Sequence, residues 1–462
     1  MPFLGKKVGL IVPLISLIAH NVLFKAPYAS FSCSLLHIGC PSHIPIHGFV
    51  NDEYKEVYNI FVNNFKQGLD IGASISAYVD GKQVFSLQGG WQDRDKQIEY
   101  TNKTLQMVYS CTKSLGSIIV AQLVDQGLLS YNERISTYWP EFAQGNKENV
   151  TIEDLMRHKS GLGGLDEPLS YYNASDLDRL ADVLAKQRHN FDGKPVHAYH
   201  VITQGWIQNE IIRRVDPQHR TLNDFAREFM DKWGSEWYLK PYATEGLDIS
   251  RIAPFYPIPK YQQYAHLIAT VLNPFKDSSL IFALFNKDSL VYRSLVNPHI
   301  SLDTNIQKLN PKHRSIEIPS YSGHTNADSI AKLAAMMANR GKAIEQGEPD
   351  LFTKDTTFEE ATRVMDDYET DAIFPNDVIN NLRGGLVIFP NDYLNIPDYD
   401  KESELIGGIG ASGTFFVFNE KYKIGFAYVS NCLHSQRNPD ERSLAILRAI
   451  LKKNKESRGS NC

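Results

Sequence analysis

The chain is short of cysteine, and this scarcity excludes two kinds of protein. Only five of its 462 residues are cysteine, and no two of them form a Cys-x-x-Cys pair. A small domain held together by many disulfides is therefore excluded, and so is a thiolate zinc motif. The His-x-His-x-Asp pattern of zinc hydrolases is missing as well. A single bridge between Cys33 and Cys40 stays open beside the alternative of free thiols.

Clustered positive charge is also missing. The formal net charge is −5, and no run of lysine or arginine is interleaved with aromatic residues. A nucleic-acid groove needs such a run to neutralise phosphates, so nucleic acid is excluded as a partner. The sequence contains no heptads, internal repeats or low-complexity tracts, which excludes coiled coils and repeat proteins. With 42% hydrophobic and 22% charged residues, its composition is that of a globular protein.

The N-terminal segment has no acidic residue before Asp52 and no arginine in residues 1–50. Lys6 and Lys7 precede an apolar stretch from Val8 to Ala19, which is typical of a secretory signal. The stretch is shorter than the ~20 residues of a membrane span. We therefore predict a signal peptide or signal anchor within residues 1–30, and a secreted or membrane-anchored protein. The alternative is a mitochondrial transit peptide, which the missing arginine disfavours. Three potential glycosylation triplets agree with secretion: Asn102–Thr104, Asn149–Thr151 and Asn173–Ser175.

Four β-patterned runs stand near the two ends of the chain. Residues 73–79 and 84–87 flank an Asp-Gly turn, and residues 414–418 and 424–429 flank a second turn. Each pair is typical of a β-hairpin. Helical patterns dominate the middle of the chain, although residues 241–320 show no clear pattern. The sequence thus predicts an α+β fold, in which both hairpins join one antiparallel sheet beside an all-α subdomain.

Ser110 begins the tetrapeptide Ser-Cys-Thr-Lys, just before a run from Lys113 to Leu129 that is apolar on nearly every side. Such a run predicts a buried helix, and a spacing of three places Ser110 and Lys113 on one helix face. A serine hydroxyl needs a base to take its proton, and a neutral lysine can serve. Burial favours neutrality, since it can bring a lysine pKa from ~10.4 to about 7. The helix N-terminus would add backbone N–H groups for an oxyanion.

The surrounding motifs resemble those of the serine β-lactamase and penicillin-binding-protein family, in its branch of esterases and carboxypeptidases. Val108–Ser114 is similar to the first motif of that branch, and Tyr138–Phe142 and Thr151–Leu162 follow at its usual intervals. The resemblance runs from about residue 50 to 452, within a predicted domain of residues 48–455. It implies an antiparallel sheet of about five strands flanked by helices, with a mostly helical subdomain at about 130–330. It implies neither a metal nor a cofactor.

The resemblance also assigns roles to individual residues. Tyr199 stands in the second motif and is expected to relay the proton with the lysine. Gly408 and Gly410 belong to the third motif, on a strand that lines the site. The N–H of Ala411 is expected to complete an oxyanion hole with that of the nucleophile.

Two residues of the family pattern are missing. The third motif usually begins with a lysine or histidine that holds a substrate carboxylate, and Gly408 takes its place here. Val201 replaces the asparagine of the second motif. The missing cation favours an esterase, or an amidase of neutral substrates, over a β-lactamase or D,D-carboxypeptidase, unless a nearby cation such as His434 substitutes. His158 is expected to shape the loop behind the site and to have no chemical role.

We therefore predict a serine hydrolase that acts through a Ser110 acyl-enzyme on small esters or amides, without metal or cofactor. The alternative is a non-catalytic protein of the same fold with a structural or self-assembling role. The altered motifs favour the alternative, whereas the joint presence of Ser110, Lys113 and Tyr199 favours the enzyme. The oligomeric state is left open, and so is membrane anchorage by the N-terminal segment.

Overall fold

The computed structural model describes residues 27–30, 32–33, 38, 40, 43–272, 279–297, 311–365, 367, 369–374, 380–390, 394, 404–433 and 440–459. The strands in these ranges are β1 (Ile46–Val50), β2 (Gly72–Val79), β3 (Lys82–Asp93), β4 (Ile98–Glu99), β5 (Gln106–Met107), β6 (His324–Thr325), β7 (Asn380–Asn381), β8 (Val387–Phe389), β9 (Leu405–Ile409), β10 (Phe415–Asn419) and β11 (Ile424–Ser430). The helices are Lys55–Lys66, Thr112–Asp125, Ile135–Tyr138, Ile152–Met156, Tyr171–Ala174, Leu177–Lys186, Thr203–Val215, Leu222–Trp233, Lys260–Leu272, Ser279–Ala283, Leu290–Leu295, Pro311–Arg314, Ala327–Ala338, Asp355–Ala361 and Glu441–Gly459.

An antiparallel sheet is built from both ends of the chain. Its order is β1-β3-β2-β11-β10-β9-β8-β7, and β4 pairs with β3, which makes nine strands among the described residues. β2 and β11 lie side by side in the middle, with Ala77 opposite Phe426. The prediction that two hairpins share one sheet is confirmed, since β2–β3 and β10–β11 are those hairpins. The sheet has more strands than the five expected, because β1, β4, β7 and β8 extend it.

Apolar side chains cover both faces of the sheet. One face packs against the helices Lys55–Lys66 and Glu441–Gly459, which also contact each other. The opposite face packs against the helix Ala327–Ala338. Gly425 in β11 permits this close approach, because a Cβ there would lie 2.2 Å from the backbone nitrogen of Ala335. Removing both faces from water is the main source of stability for a sheet of this kind.

The N-terminal part of the chain is described only in short pieces. A disulfide joins Cys33 to Cys40, so the bridge and not the pair of free thiols is observed. Cys111 and Cys432 are buried free thiols. The apolar stretch from Val8 to Ala19 lies outside the described residues. Within the described ranges, no helix combines the length and apolar character needed to cross a membrane. The domain boundaries 48–455 and 130–330 stay predictions.

A buried charge cluster around Arg442 ties the two ends of the chain together. The Arg442 guanidinium donates to Asp70 Oδ1 (2.7 Å), just before β2, and to Asp440 Oδ2 (2.6 Å), just before the last helix. All three side chains are almost fully buried. The same guanidinium donates to the carbonyl oxygen of Ser412 (3.1 Å), in the turn after β9. Gly413 must be glycine for this contact, since its φ is +79° and a Cβ there would lie 2.5 Å from Arg442 Nη2.

Replacing Arg442 with methionine should lower the free energy of unfolding by about 3–5 kcal/mol, because Asp70 and Asp440 would become uncompensated buried charges. Urea unfolding followed by circular dichroism measures this loss. As a control, Arg188→Met removes an exposed ion pair with Asp192 and should cost less than ~1 kcal/mol. Equal losses in the two variants would contradict the role assigned to Arg442.

Candidate active site

Ser110 lies in a single 3-10 turn, Tyr109–Cys111, that leads directly into the buried helix Thr112–Asp125. Tyr109 has a φ of +47°, an unusual conformation for a bulky residue. The Thr112 hydroxyl stabilises this turn, because it donates to the Tyr109 carbonyl (2.6 Å) and accepts from the Gly323 N–H (3.0 Å). The helix ends at Asp125, two residues before Gly127, where the sequence favours a helix end. The sharp turn presents Ser110 at the edge of a cavity.

Lys113 lies beside Ser110 on the cavity wall and is almost fully buried. Its Nζ donates to the carbonyl oxygens of Val201 (2.9 Å) and Ser320 (3.0 Å). Among the described residues, no carboxylate acts on its charge. Burial lowers the pKa of Lys113 to about 7. Near neutral pH this amine therefore exists in both protonation states, as a proton-transfer base must.

Tyr199 completes a group of three with Ser110 and Lys113. Its ring centroid lies 4.9 Å from Lys113 Nζ, and its hydroxyl lies near enough to that of Ser110 to be influenced by it. Burial raises the pKa of Tyr199 to about 12, although the neighbouring Ser110 side chain opposes the rise. The phenol thus keeps its proton at neutral pH and can donate it. The structure brings together the three side chains that the sequence selected.

The backbone of Tyr199 is held by a carboxylate that the sequence analysis missed. Asp371, which is buried, accepts from the N–H groups of Tyr199 (2.8 Å), Ile373 (2.7 Å) and Phe374 (2.8 Å). Its Oδ2 also lies 3.1 Å from Nδ1 of His197. Burial alone would raise the pKa of Asp371, but the interaction with His197 and the backbone N–H groups lowers it below its usual value. Asp371 belongs to no motif, so no sequence signal pointed to it.

The backbone at the end of β9 approaches Ser110 through two glycines, Gly408 in the strand and Gly410 just after it. A Cβ on Gly408 would lie 2.2 Å from Ser114 Oγ, and a Cβ on Gly410 would lie 2.2 Å from the Val108 carbonyl oxygen. The strand therefore contacts the chain on both sides of Ser110. With the Ser114 hydroxyl in its present rotamer, a lysine or histidine at position 408 would clash with it. Ala411 follows on the same cavity wall.

The cavity that these residues line has a volume of about 310 Å³. It contains all six predicted site residues: Ser110, Lys113, Tyr199, Gly408, Gly410 and Ala411. Its remaining walls are largely apolar and include Val201, Leu295, Phe374, Val387 and Ile409. Among the described lining residues, Lys113 is the one lysine or arginine. His434, the alternative cation, lies outside the described residues.

His158 packs behind Tyr199, with the two ring centroids 4.6 Å apart. Its Nδ1 accepts the N–H of His200 (3.1 Å), and its φ of +60° marks a tight loop. Burial and the neighbouring basic groups hold the pKa of His158 well below its usual value, so the ring is neutral. In this structure His158 supports the loop and the tyrosine, in keeping with the structural role expected for it.

A larger cavity of about 790 Å³ lies elsewhere, beside Trp139. Its charged side chains pair with one another, since Arg213 contacts Asp178 and Arg214 contacts Glu141. Its described lining includes no serine and no lysine. We therefore place the chemistry in the smaller cavity at Ser110. Among the described residues, no cluster of three histidine, cysteine, aspartate or glutamate side chains has the arrangement of a metal site.

The titration of Lys113 can be tested through stability alone. An unfolded lysine keeps its proton up to ~10.4, whereas the folded one releases it near pH 7, so stability rises with pH between these values. Relative to Lys113→Met, the wild type should gain about 2 kcal/mol in free energy of unfolding between pH 7 and pH 9. Urea unfolding of both proteins across this range measures the gain. As a control, the free energy of unfolding of Lys186→Met, at an exposed lysine, should differ from that of the wild type by the same amount at both pH values. If the difference between the wild type and Lys113→Met is also independent of pH, Lys113 does not become neutral in this range.

Sequence relatives match parts of this chain. A sequence model of the family described as beta-lactamase matches residues 61–450. The esterase/beta-lactamase LipL of Mycobacterium tuberculosis is 28% identical over 221 residues, which cover 46% of this chain and 47% of LipL. Protein flp of Staphylococcus aureus is 29% identical over 115 residues, which cover 24% of this chain and 23% of that protein. The chain thus matches less than half the length of these curated relatives.

Solved structures extend the likeness to most of the chain. A family VIII carboxylesterase superposes with a TM-score of 0.73 at 26% identity, covering 88% of this chain and 100% of that one. A penicillin-binding protein homologue from Caulobacter crescentus superposes with a TM-score of 0.71 at 25% identity, again covering 88% and 100%. These likenesses confirm the predicted α+β fold and the resemblance that implied it. Since the family match extends over most of its length, the chain belongs to the beta-lactamase family.

Proposed function

We propose that this protein is a serine hydrolase that forms an acyl-enzyme on Ser110 and cleaves small, uncharged esters or amides. The observation that carries the proposal is the state of Lys113. This amine is buried beside Ser110, and its two hydrogen-bond acceptors are neutral carbonyl oxygens. Burial also lowers the pKa of Lys147, to about 8, so a lowered pKa alone does not identify a base. Lys113 differs because it lines the same cavity as Ser110, whose hydroxyl needs a base to take its proton. The carboxylesterase and the esterase/beta-lactamase among the relatives support the same reaction class.

The proposed reaction follows from the positions of three side chains. Lys113, in its neutral form, takes the Ser110 proton with Tyr199 as relay, and Ser110 Oγ attacks the acyl carbon. The tetrahedral oxyanion accepts hydrogen bonds from the N–H groups of Ser110 and Ala411. The C–O or C–N bond then breaks, and the leaving group takes the proton back through Tyr199. Water, deprotonated by the same base, attacks the acyl-enzyme and releases the acid and free Ser110.

Ala411 suits the oxyanion role for a local reason. The turn after β9 is closed by its neighbours, since the Gly410 N–H donates to the Thr414 carbonyl (2.9 Å) and the Gly413 N–H donates to the Gly410 carbonyl (3.0 Å). Among the described residues, no acceptor receives the N–H of Ala411. An unpaired backbone donor at a cavity wall is available to a developing negative charge.

An active-site probe separates this proposal from a non-catalytic role. A fluorophosphonate should label the wild type, and a chromogenic short-chain ester should be hydrolysed, because both need an activated serine. Ser110→Ala should abolish labelling, and Lys113→Met should reduce hydrolysis by about 100-fold or more. Lys147→Met is a matched control, since Lys147 is also buried and bonded to two carbonyl oxygens but lies outside the cavity. A wild type that is neither labelled nor more active than Ser110→Ala would support the structural alternative.

Substrate charge follows from the walls of the cavity. Position 408 carries a glycine and no cation, and Lys113 is the one lysine or arginine among the described lining residues. The described cavity wall therefore offers no further cation to pair with a substrate carboxylate. We expect kcat/KM for a neutral ester to exceed that for its carboxylate-bearing analogue by about 10-fold or more, because an unpaired charge would be desolvated. Steady-state kinetics on matched pairs of esters measure the ratio. A clear preference for the carboxylate substrates would overturn this part of the proposal.

We also propose that the protein enters the secretory pathway. The bridge between Cys33 and Cys40 supports this, since disulfides persist mainly in oxidising compartments.

A further inference from the structure

The helix Lys260–Leu272 presents its apolar residues to solvent. Five large side chains recur every three or four residues along it and are between 43% and 63% exposed: Tyr261, Tyr264, Leu267, Ile268 and Val271. We call these five the outer face. The polar Gln262, by contrast, is only 2% exposed. A surface helix of a soluble protein normally has the opposite arrangement, with apolar residues inward.

A second exposed apolar pair follows in the same region of the chain. Phe282, in the helix Ser279–Ala283, is 63% exposed, and Phe285 in the next turn is 82% exposed. Soluble monomers rarely leave so many large apolar side chains in water within one short stretch. A partner that covers the outer face would remove this cost.

The charges around the outer face point to the kind of partner. The chain has 53 acidic residues among 462, yet none occurs between Asp248 and Asp277. Lys260, at the start of the helix, is exposed. Beyond Phe285, the exposed Lys287 is followed by the exposed Asp288, so these two charges cancel. An apolar helix face that starts at a lysine and has no acidic residue along it is complementary to an anionic lipid surface.

The size of the outer face distinguishes a membrane from a second copy of the chain. A helix of 13 residues is about 20 Å long, so its exposed face offers a few hundred Å² at most. A stable protein interface buries roughly 800 Å² on each partner. An in-plane helix in a bilayer interface needs only its own apolar face. We therefore propose that the outer face docks the protein on the surface of an anionic bilayer, with the helix lying in the membrane plane.

Both ends of this region are fixed to the rest of the protein at the cavity. Phe255, before the helix, packs on Tyr109 with the ring centroids 4.9 Å apart. Leu295, after it, lines the cavity beside Ser110. The docking helix is thus part of a stretch whose two ends contact the candidate active site. The docking itself does not depend on the proposed function, and its test needs no catalytic activity.

Vesicle flotation of the full chain tests the proposal. The wild type should bind vesicles of mixed phosphatidylcholine and phosphatidylglycerol. The triple variant Tyr264→Ser/Ile268→Ser/Val271→Ser should bind them with an affinity lower by about tenfold or more. A matched control, Ile98→Ser/Tyr172→Ser/Met230→Ser, removes comparably exposed apolar side chains elsewhere and should bind like the wild type. Thermal unfolding of each variant shows that it is folded. Unchanged vesicle affinity of the helix variant would overturn the proposal and assign binding to another segment, such as the N-terminus.

Fluorescence gives a direct second measurement. Brominated lipid chains should quench the indole of Ile268→Trp by contact, whereas that of Tyr172→Trp should be unaffected. An Ile268→Trp emission that brominated vesicles leave unchanged would overturn the proposal. A second set of results would also overturn it: the wild type does not bind vesicles and is a dimer by light scattering, whereas the triple helix variant is a monomer. The outer face would then be a contact between two copies of the chain.

Discussion

The buried guanidinium of Arg442 is the contact on which both the sheet and the cavity depend. It binds Asp70 at the entry to β2 and Asp440 at the entry to the last helix, so it joins the start of the central strand to the C-terminal helix. Its third acceptor, the carbonyl of Ser412, lies next to Ala411 on the cavity wall. The closure of the fold and the shape of the candidate oxyanion site are therefore set by one charge cluster. Such a cluster is stable only when complete, because each member compensates the others.

Burial serves two purposes in the helix that follows Ser110. Its apolar residues fill the core beneath the cavity, and the same exclusion of water lowers the pKa of Lys113. The protein carries the cost of desolvating an amine, and two backbone carbonyls offset part of it. The same burial raises the pKa of Tyr199, so the phenol keeps its proton. The same exclusion of water thus places an amine that loses its proton near pH 7 beside a phenol that keeps its own.

The sequence predicted the parts of the fold that have a strong local pattern. Alternating residues and tight turns predicted both hairpins, and the apolar run predicted the helix after Ser110. Strands β7 and β8 were missed because two or three residues carry no periodicity. Asp371 was missed because its partners are backbone N–H groups, which no side-chain pattern records. The helix Lys260–Leu272 was missed in a stretch that showed no clear pattern, and its apolar residues are not part of the core.

The contact between Gly408 and Ser114 also bears on how this chain is able to change over evolutionary time. A side chain at position 408 would meet the Ser114 hydroxyl at 2.2 Å from its first carbon, whatever its charge. The hydroxyl is the end of a side chain, and the Cβ of Ser114 would lie 3.6 Å away, so a change of the Ser114 rotamer would relieve the contact. A side chain gained at position 408 is thus coupled to the rotamer of residue 114, and a smaller residue at position 114 would remove that constraint.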